Sequence, residues 1–358
     1  MKRGVSLYLD LVRFSAAMVV FLGHLARQTF TEGFLWPASV YMDTAVIVFF
    51  VLSGYVIAHV LHDKERTPKA YILARVSRLY SVVVPALIVT AVCDGIGIAV
   101  DPSLYYGSAD YAGNEVGLRY LATLLLANQF WVWGHGMEAG TNVPFWSLSF
   151  EAAYYVAIGL LVFTKGKIRI VLCALLVALV GPVIVAFAPI WFLGFGLYHA
   201  LRGIELRQAT ALGLAIVGLI LLSLTPLVRE ATHAMLLGDH NLVAGYYDAS
   251  SFALHLIGVS SLSRSLESRL RRGAALIRWL GSLTFALYLF HRPILWVLSA
   301  INIGPPSSWS QRLYLCGVTL LIVVTIGWWC EAQKLPLRRR LEGLVGRTAW
   351  IGSTKDRP

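Results

Sequence analysis

Residues 313–329 read LYLCGVTLLIVVTIGWW and contain no charged side chain. Nearly charge-free runs of the same kind cover residues 82–92, 170–180 and 211–224. With their flanks, several of these runs reach the roughly 18–20 residues that a helix needs to cross a bilayer. They are apolar on every face, whereas a surface helix of a soluble protein is apolar on one face only. The sequence therefore predicts an all-α integral membrane protein.

The composition agrees with a membrane protein and argues against nucleic-acid binding. Of the 358 residues, 58% are hydrophobic and 14% are charged, whereas a soluble domain is about 45–50% apolar and about 25% charged. The net charge of +11 comes from short basic runs between apolar segments, which is typical of cytosolic loops beside anionic lipid. The four cysteines lie singly in apolar segments, so the sequence predicts neither a disulfide framework nor a metal site.

Apolar segments separated by short polar connections fill almost the whole chain. They cover approximately residues 5–27, 40–61, 79–99, 118–134, 145–164, 168–186, 188–201, 209–227, 249–262, 279–300 and 312–332. No soluble domain fits between them. We predict one membrane-embedded domain at 1–335 and a basic cytosolic tail at 336–358.

The basic residues of the short loops predict the orientation of the chain. Basic clusters lie at 64–78, 165–169, 202–207, 264–278 and 334–347, while the loops 100–117 and 228–248 are acidic or neutral. The positive-inside rule places the basic clusters in the cytosol. Eleven full spans would leave 165–169 outside, so we predict that the segment near 118–134 is re-entrant or interfacial. Irregular backbone is tolerated at membrane depth where protein buries it. About ten transmembrane helices result, with both termini cytosolic.

Residues 170–201 are hard to divide by length. As one helix they would reach about 48 Å, too long for one span of about 30 Å and short for two. Basic residues on both flanks favour two short helices with a break near 182–189.

Arg13 and His24 are polar residues inside the first apolar segment, within LDLVRFSAAMVVFLGH (9–24). At 100° per residue they project from one face of a helix, about 16 Å apart along its axis. Asp10 lies one turn before Arg13 and is a candidate partner for it. Such residues are costly in a bilayer and mark functional sites by default. The alternative is a snorkelling Arg13 and a structural His24.

Glu151 begins a further span and is predicted to lie at roughly the depth of His24. A carboxylate that orients an imidazole is the usual partner in general base chemistry. The alternative is a helix-terminal Glu151 that reaches water. Ser147 and Ser149 precede it in the same segment and are candidates for lining a cavity.

Three other groups of polar residues are candidates. His291 and Arg292 follow Tyr288 in the middle of the segment 279–300, where a structural role for His291 is as plausible as a catalytic one. Arg75 and Arg78 share a helix face and suit a phosphate, although positive-inside topology explains them equally well. Finally, the segment 40–61 contains three candidates for lining a cavity, although close helix packing at Gly54 is the simpler explanation. These are Asp43, Ser53 and Tyr55.

Taken together, these stretches resemble the membrane-bound acyltransferase family 3. The resemblance rests on five motifs in the order of the family, which cover most of the chain: the Arg13-to-His24 spacing, FFVLSGYVIAH (49–59), RVSRLY (75–80), PFWSLSFEAAYY (144–155) and SLTFALYLFHRPI (282–294). There are two departures. Ala152 stands where relatives often have a second acid after Glu151, and Arg292 stands where many have Trp.

The resemblance implies a function and assigns roles to the candidates. It implies an O-acyltransferase, an O-acetyltransferase by expectation, in a bacterial inner membrane. The acyl-CoA donor would arrive from the cytosol, with its phosphates near Arg75 and Arg78. A hydroxyl of a cell-surface glycan or lipo-oligosaccharide would accept the acyl group at the outer face. His24, assisted by Glu151, would be the general base, and Arg13 would position the donor or stabilise negative charge.

A different class of protein explains the same buried charges. In a multi-pass transporter or flippase for a glycan or lipid-linked substrate, they would form a proton or substrate pathway. The absence of an inverted repeat counts mildly against this alternative.

Overall fold

The computed structural model describes the backbone of residues 2–353 and the side chains of residues 2–344. Within that part, the chain is almost entirely helical. The α-helices are α1 Arg3–Leu25, α2 Gln28–Thr31, α3 Pro37–Val40, α4 Met42–Asp63, α5 Pro68–Val100, α6 Pro102–Tyr106, α7 Val116–Leu124, α8 Trp146–Phe163, α9 Gly166–Val180, α10 Pro182–Ala200, α11 Gln208–Ser223, α12 Thr225–Ala231, α13 Leu242–Ser261, α14 Ser263–Leu270, α15 Ala274–Ile301 and α16 Trp309–Ser353. Short 3-10 helices cover Trp131–Trp133, Val143–Phe145 and Arg271–Gly273, and the strands β1 Leu236–Leu237 and β2 His240–Asn241 pair antiparallel.

The predicted class, an all-α membrane protein, is confirmed, but fewer helices than the predicted ten have the length and composition of a span. Seven helices of the described part are long and apolar enough to cross a bilayer, or eight if α11 and α12, bent by 45°, form one broken span. The predicted count of about ten is reached only if α9, α11 and α13 all cross. Helix α9 has 15 residues, and α13 carries Asp248 and His255, which explains why neither passes as a span.

The helices run up and down between two ends of the bundle. At one end, which we call the basic end, Lys2 pairs with Glu205 (2.9 Å) and Arg3 with Glu267 (3.7 Å). These contacts bring the start of α1 beside the basic clusters at 202–207 and 264–278. The other end, which we call the opposite end, contains the loops 101–115 and 232–241.

The segment near 118–134 does not cross the bundle. Helix α7 enters from the opposite end, and residues 125–142 return beside it. Arg119 and Thr123 of α7 donate hydrogen bonds to the carbonyls of Gly136 and Met137 in the returning chain (3.1 Å each). Since α5 ends and α8 begins at the same end of the bundle, this segment is re-entrant, in agreement with the prediction from charge.

The stretch 170–201 forms two helices whose break is one residue long. Gly181 separates α9 from α10 with a φ of +85°, a conformation that favours glycine. A Cβ atom at Gly181 would also lie 2.5 Å from the Trp131 side chain. Pro182 follows as the first residue of α10, a position that suits its missing N–H. The break therefore lies one residue before the predicted range 182–189, and Pro189 is inside α10.

Two helices extend beyond their apolar segments. Helix α5 begins at Pro68 rather than near residue 79, because Thr67 caps it by accepting a hydrogen bond from the Ala70 backbone N–H (3.2 Å). Helix α16 continues across the predicted domain boundary at 335 and includes Pro336. The last residues of the predicted tail, 354–358, lie outside the described residues.

Glycines allow α4 and α10 to pack closely. A Cβ atom at Gly54 would lie 2.0 Å from the Trp191 carbonyl oxygen, and one at Gly194 would lie 1.9 Å from the Val51 carbonyl oxygen. Small residues at such crossings let helix backbones approach in a membrane. The role of Gly54 is therefore packing, as the simpler sequence interpretation proposed.

The orientation can be tested by cysteine labelling of a variant in which the native cysteines are replaced. Because Lys167 lies in a basic cluster at the start of α9, we expect Lys167→Cys to react with an impermeant maleimide only after the cells are permeabilised. Asp239→Cys, in a loop of the opposite end, should react in intact cells. Labelling of Lys167→Cys in intact cells would contradict the proposed orientation.

Candidate active site

A cavity of about 290 Å³ lies inside the bundle among α1, α4, α5, α8, α15 and α16. Basic side chains of its wall are Arg13, Arg75, Arg78, Arg278 and Lys334, and the acidic ones are Asp10, Glu151 and Glu331. Arg278 and Glu331 are exposed, so the cavity opens at the basic end. The excess of cations makes this cavity suitable for an anionic ligand.

Arg13 lies within a small charge network on the cavity wall. Its Nη1 is 3.7 Å from Asp10 Oδ1 in the predicted i,i+3 pair. Arg78 and Glu151 also interact with it electrostatically. Arg13 therefore faces the cavity from α1, where it can contact a bound substrate.

Glu151 is bound by hydroxyl groups. Ser53 Oγ donates a hydrogen bond to Glu151 Oε1 (2.6 Å), and the Tyr155 hydroxyl, one turn later on α8, donates to the same oxygen. Ser53 comes from α4, so these bonds join two helices of the cavity wall. They orient Glu151 toward the network around Arg13.

Arg75 and Arg78 both line the cavity, but their environments differ. Arg75 is buried and pairs with Glu65 through Nη2 (2.6 Å), with its guanidinium near the Tyr155 ring at 5.5 Å. Arg78 is half-buried and forms no ion pair among the side chains that the structure describes. Arg78 is therefore available to bind an anionic ligand, whereas Arg75 already pairs with an acidic residue of the chain.

His24 lies outside this cavity, beside α15. Its Nδ1 is 2.9 Å from the Val20 carbonyl oxygen and 3.4 Å from His291 Nε2, and its Nε2 is 3.2 Å from Arg292 Nη1. A carbonyl only accepts and a guanidinium only donates, so the proton is assigned to Nδ1 and the lone pair to Nε2. His24 is thus a neutral imidazole whose Nε2 lone pair faces Arg292 Nη1.

The prediction that Glu151 orients His24 is wrong in this structure. Ser147 Oγ lies 2.8 Å from the Tyr288 hydroxyl. This contact indicates that Ser147 of α8 and Tyr288 of α15 lie at a similar depth in the bundle. Glu151 lies one turn from Ser147 toward the basic end, and His291 lies one turn from Tyr288 toward the opposite end. At 1.5 Å per residue, His24 and Glu151 differ by about 10 Å in depth. The groups that orient His24 are the Val20 carbonyl and His291.

The same hydrogen bond separates the cavity from His24. Ser147 and Tyr288 both line the cavity, and Phe49 packs against Tyr288 with ring centroids 5.8 Å apart. These three side chains form the wall of the cavity nearest to His24. A substrate that reaches His24 from the cavity must pass them.

Acidic and basic residues of the opposite end surround the His24 cluster. Asp110, in the loop after α6, lies 3.1 Å from Arg292 Nη2 and also pairs with Arg27. The Arg292 side chain is 3% exposed, while those of Asp110 and Arg27 are 27% and 34% exposed. His24 is therefore reached from the opposite end past Asp110 and Arg27.

Three predicted cavity residues lie elsewhere. Asp43 is exposed at the opposite end and pairs with Arg229 (2.7 Å). Tyr55 is buried against Tyr198, with ring centroids 5.5 Å apart. Ser149 donates a hydrogen bond to Asn128 Oδ1 (2.7 Å). Each faces a neighbouring helix or loop, because a helix turns adjacent residues to different sides.

Sequence reasoning missed several residues of the two sites. Arg278 and Lys334 belong to basic clusters that topology alone explained, and Asp110 was noted only as part of an acidic loop. Arg27, just after α1, carried no signal. No group of three or more His, Cys, Asp or Glu side chains that could hold a metal ion occurs in the described part of the chain.

The fold and these two sites define a multi-pass membrane protein that places a basic imidazole beside a cationic cavity. A family model described as an acyltransferase domain matches residues 6–328, nearly the whole chain. The chain therefore belongs to the membrane-bound acyltransferase family 3, as the motifs indicated.

Two relatives match parts of the chain. It is 32% identical over 152 residues to the acyltransferase MdmB of Streptomyces mycarofaciens, which covers 40% of this chain and 36% of that protein. It is 27% identical over 205 residues to an O-acetyl transferase of Shigella phage Sf6, which covers 54% of this chain and 58% of that protein. The chain thus spans about a third and about three fifths of these relatives. No solved structure matches the chain.

Proposed function

We propose that the protein transfers an acetyl group from cytosolic acetyl-CoA to a hydroxyl of a cell-surface glycan or lipo-oligosaccharide at the outer face of a bacterial inner membrane. The observation that carries this proposal is the arrangement of the two sites along the bundle. A cationic cavity opens at the basic end, and the His24 base lies one turn beyond it, toward the opposite end. The positive-inside rule assigns the basic end to the cytosol and thus places both termini there.

The cavity suits the donor because coenzyme A carries phosphate groups. Guanidinium and ammonium groups bind phosphates through charge-assisted hydrogen bonds. Arg78, Arg278 and Lys334 supply these groups at or near the mouth. The pantetheine arm would then extend past Arg13 toward Ser147 and Tyr288.

His24 would act as the general base on the acceptor. Its Nε2 takes the proton of the acceptor hydroxyl while the oxygen bonds to the thioester carbonyl carbon. The carbon–sulfur bond then breaks, and the proton passes from Nε2 to the departing thiolate of coenzyme A. The ester and free coenzyme A are the products, and His24 is neutral again.

Two contacts of the structure would oppose this reaction. The hydrogen bond between Ser147 and Tyr288 closes the cavity toward His24, and Arg292 occupies the lone pair of Nε2. We propose that the thioester displaces the first contact and the acceptor displaces the second. The acetyl group would then cross the bundle without leaving the protein interior.

The donor site can be tested with Arg78→Ala. We expect this change to weaken binding of acetyl-CoA by about 10–100-fold, the effect of losing a hydrogen bond to a charged group, and to leave the folded protein intact. Isothermal titration of the purified protein measures this affinity. Lys69→Ala is the matched control, since Lys69 is exposed on the same helix and does not line the cavity.

Arg75→Ala is a poorer test because it removes a buried charge. Glu65 would remain buried without its partner, a change that typically costs about 3–5 kcal/mol of stability. If Arg78→Ala binds acetyl-CoA as tightly as the wild type, the phosphates are not bound at this mouth. Absence of acetyl-CoA binding by the wild type would refute acetyl-CoA as the donor.

A further inference from the structure

Arg292 has a buried donor edge next to the base. Its Nη1 contacts His24 Nε2, and its Nη2 lies 3.1 Å from Asp110 Oδ2, but its Nε is buried and has no hydrogen-bond partner among the described residues. Nε and Nη2 lie side by side on the planar guanidinium and match the two oxygens of a carboxylate. A buried donor without a partner is costly, so this edge is suited to a ligand that supplies an oxygen to each N–H group.

Asp110 contacts only one of the two N–H groups of that edge. Its Oδ2 is 3.1 Å from Nη2 in an ion pair and also contacts Arg27, while Nε of Arg292 has no acceptor among the described residues. Asp110 therefore compensates the charge between the two arginines and leaves one of the two N–H groups of the donor edge without a partner. We call Arg27, Arg292 and the space between them the two-arginine site.

The two arginines are held in place independently of Asp110. Arg27 lies 6.0 Å from the centroid of the Trp296 ring in a cation–π contact, which is a favourable arrangement for a guanidinium. Arg292 is fixed at its other edge by His24. A ligand that replaced Asp110 would meet Arg27 already in place and would compete only with His24 for the guanidinium of Arg292.

Two further acids near Arg292 have partners of their own. Asp94 accepts hydrogen bonds from the Thr141 hydroxyl (2.6 Å) and backbone N–H (2.9 Å). Glu138 accepts hydrogen bonds from Asn128 and Gln129. Burial raises the pKa of the Glu138 carboxyl despite these bonds, so its charge compensates Arg292 weakly.

We propose that the acceptor is an acidic saccharide whose carboxylate binds in the two-arginine site in place of Asp110. This inference rests on the proposed function, since it assumes that the acceptor approaches His24 from the opposite end. The carboxylate would take the Nε and Nη2 edge of Arg292 and contact Arg27. The hydroxyl to be acylated would lie beside His24.

The same binding event would activate the base. Arg292 Nη1 donates to His24 Nε2 at 3.2 Å in the resting structure, and Nε2 cannot accept a second proton while that bond persists. A carboxylate that draws Arg292 toward Arg27 would free the lone pair. His24 would thus become basic only when an acidic acceptor is bound, which protects acetyl-CoA from hydrolysis by water.

The proposal can be tested by binding measurements on the purified full chain. The probes are methyl glycosides of glucuronic acid, galacturonic acid and N-acetylneuraminic acid, each compared with its neutral methyl ester, and glucose 6-phosphate. We expect at least one acid to bind and its ester not to bind. Asp110→Asn should strengthen this binding about tenfold, because it removes the competing carboxylate, while Asp239→Asn, an exposed acid in another loop, should not change it.

Loss of an arginine should have the opposite effect. We expect Arg27→Gln and Arg292→Gln to weaken binding of the acid by about 10–100-fold, the effect of losing a charge-assisted hydrogen bond. Arg27 is partly exposed, so Arg27→Gln remains informative if Arg292→Gln does not fold. Equal binding of acid and ester, or no binding to Asp110→Asn, would overturn the proposal, and a preference for glucose 6-phosphate would overturn the carboxylate assignment.

The titration of acetyl-CoA on the same protein separates this inference from the proposed function. Binding of acetyl-CoA without binding of any acid refutes only the acidic acceptor. Binding of an acid that depends on Arg27, without binding of acetyl-CoA, supports the two-arginine site and refutes the acetyl donor.

Discussion

His24→Ala should lower the rate of acetyl transfer by about 10²–10⁴-fold, the usual effect of losing a general base. The change removes His24 Nε2. Within the residues that the structure describes, this is the only imidazole nitrogen whose lone pair faces both Arg292 and the opposite end. Because His24 is half-buried at the edge of the core, the protein should still insert and fold. Transfer of radiolabelled acetyl groups from acetyl-CoA to isolated surface glycans measures the rate.

A second histidine supplies the control for this prediction. His59, on α4 at the basic end, contacts Asp63 and Tyr198 and lies in neither site, so His59→Ala should retain the wild-type rate. Binding of acetyl-CoA should be unchanged in His24→Ala, since His24 does not line the cationic cavity proposed for the donor. A His24→Ala protein that transfers acetyl groups at nearly the wild-type rate would refute the mechanism.

Arg13→Lys should reduce kcat/KM for acetyl-CoA by about 10–100-fold, mainly through a higher KM. Lysine keeps the charge but loses the planar fork that can bind two groups at once, and one charge-assisted hydrogen bond contributes about 1.5–3 kcal/mol. Arg13 is about 16 Å from His24 along α1, too far to stabilise charge on a thioester held at His24. On this distance we expect Arg13 to position the donor and not to stabilise charge at the thioester.

Steady-state kinetics with varied acetyl-CoA distinguish these two roles. A rise in KM with kcat retained means that a contact equally strong in the ground state and the transition state was lost. Arg3→Lys is the matched control, because Arg3 lies on the same helix in an exposed pair with Glu267. A fall in kcat with KM unchanged would assign Arg13 to the transition state instead.

Much of the architecture follows from local features of the sequence. Apolar length predicted the helical membrane class, and the distribution of basic residues predicted the re-entrant segment between α5 and α8. Helix ends were predicted less well. Helix α5 begins at Pro68 because the Thr67 cap and the proline determine its start. The apolar segment that predicted this helix begins later, because charged residues precede it.

The candidate site was predicted in part, for a geometric reason. Spacing along one helix places residues on a common face, so Asp10 was correctly assigned as the partner of Arg13 (3.7 Å). The relative depth of residues on different helices depends on tilt and packing, which no local pattern contains. Glu151 and His24 were therefore expected to pair, and in the structure they are about 10 Å apart in depth.

By itself, the sequence determined the membrane class, the separation of basic and acidic loops between two ends, and the motifs of an acyltransferase family. These depend on composition and spacing along the chain, which the bilayer converts directly into helices and orientation. Only the tertiary structure decided that Arg292 and Asp110 accompany His24, and that Tyr288 and Ser147 lie between it and the cationic cavity. Those contacts join residues more than a hundred positions apart, and only the packing of the helices brings them together.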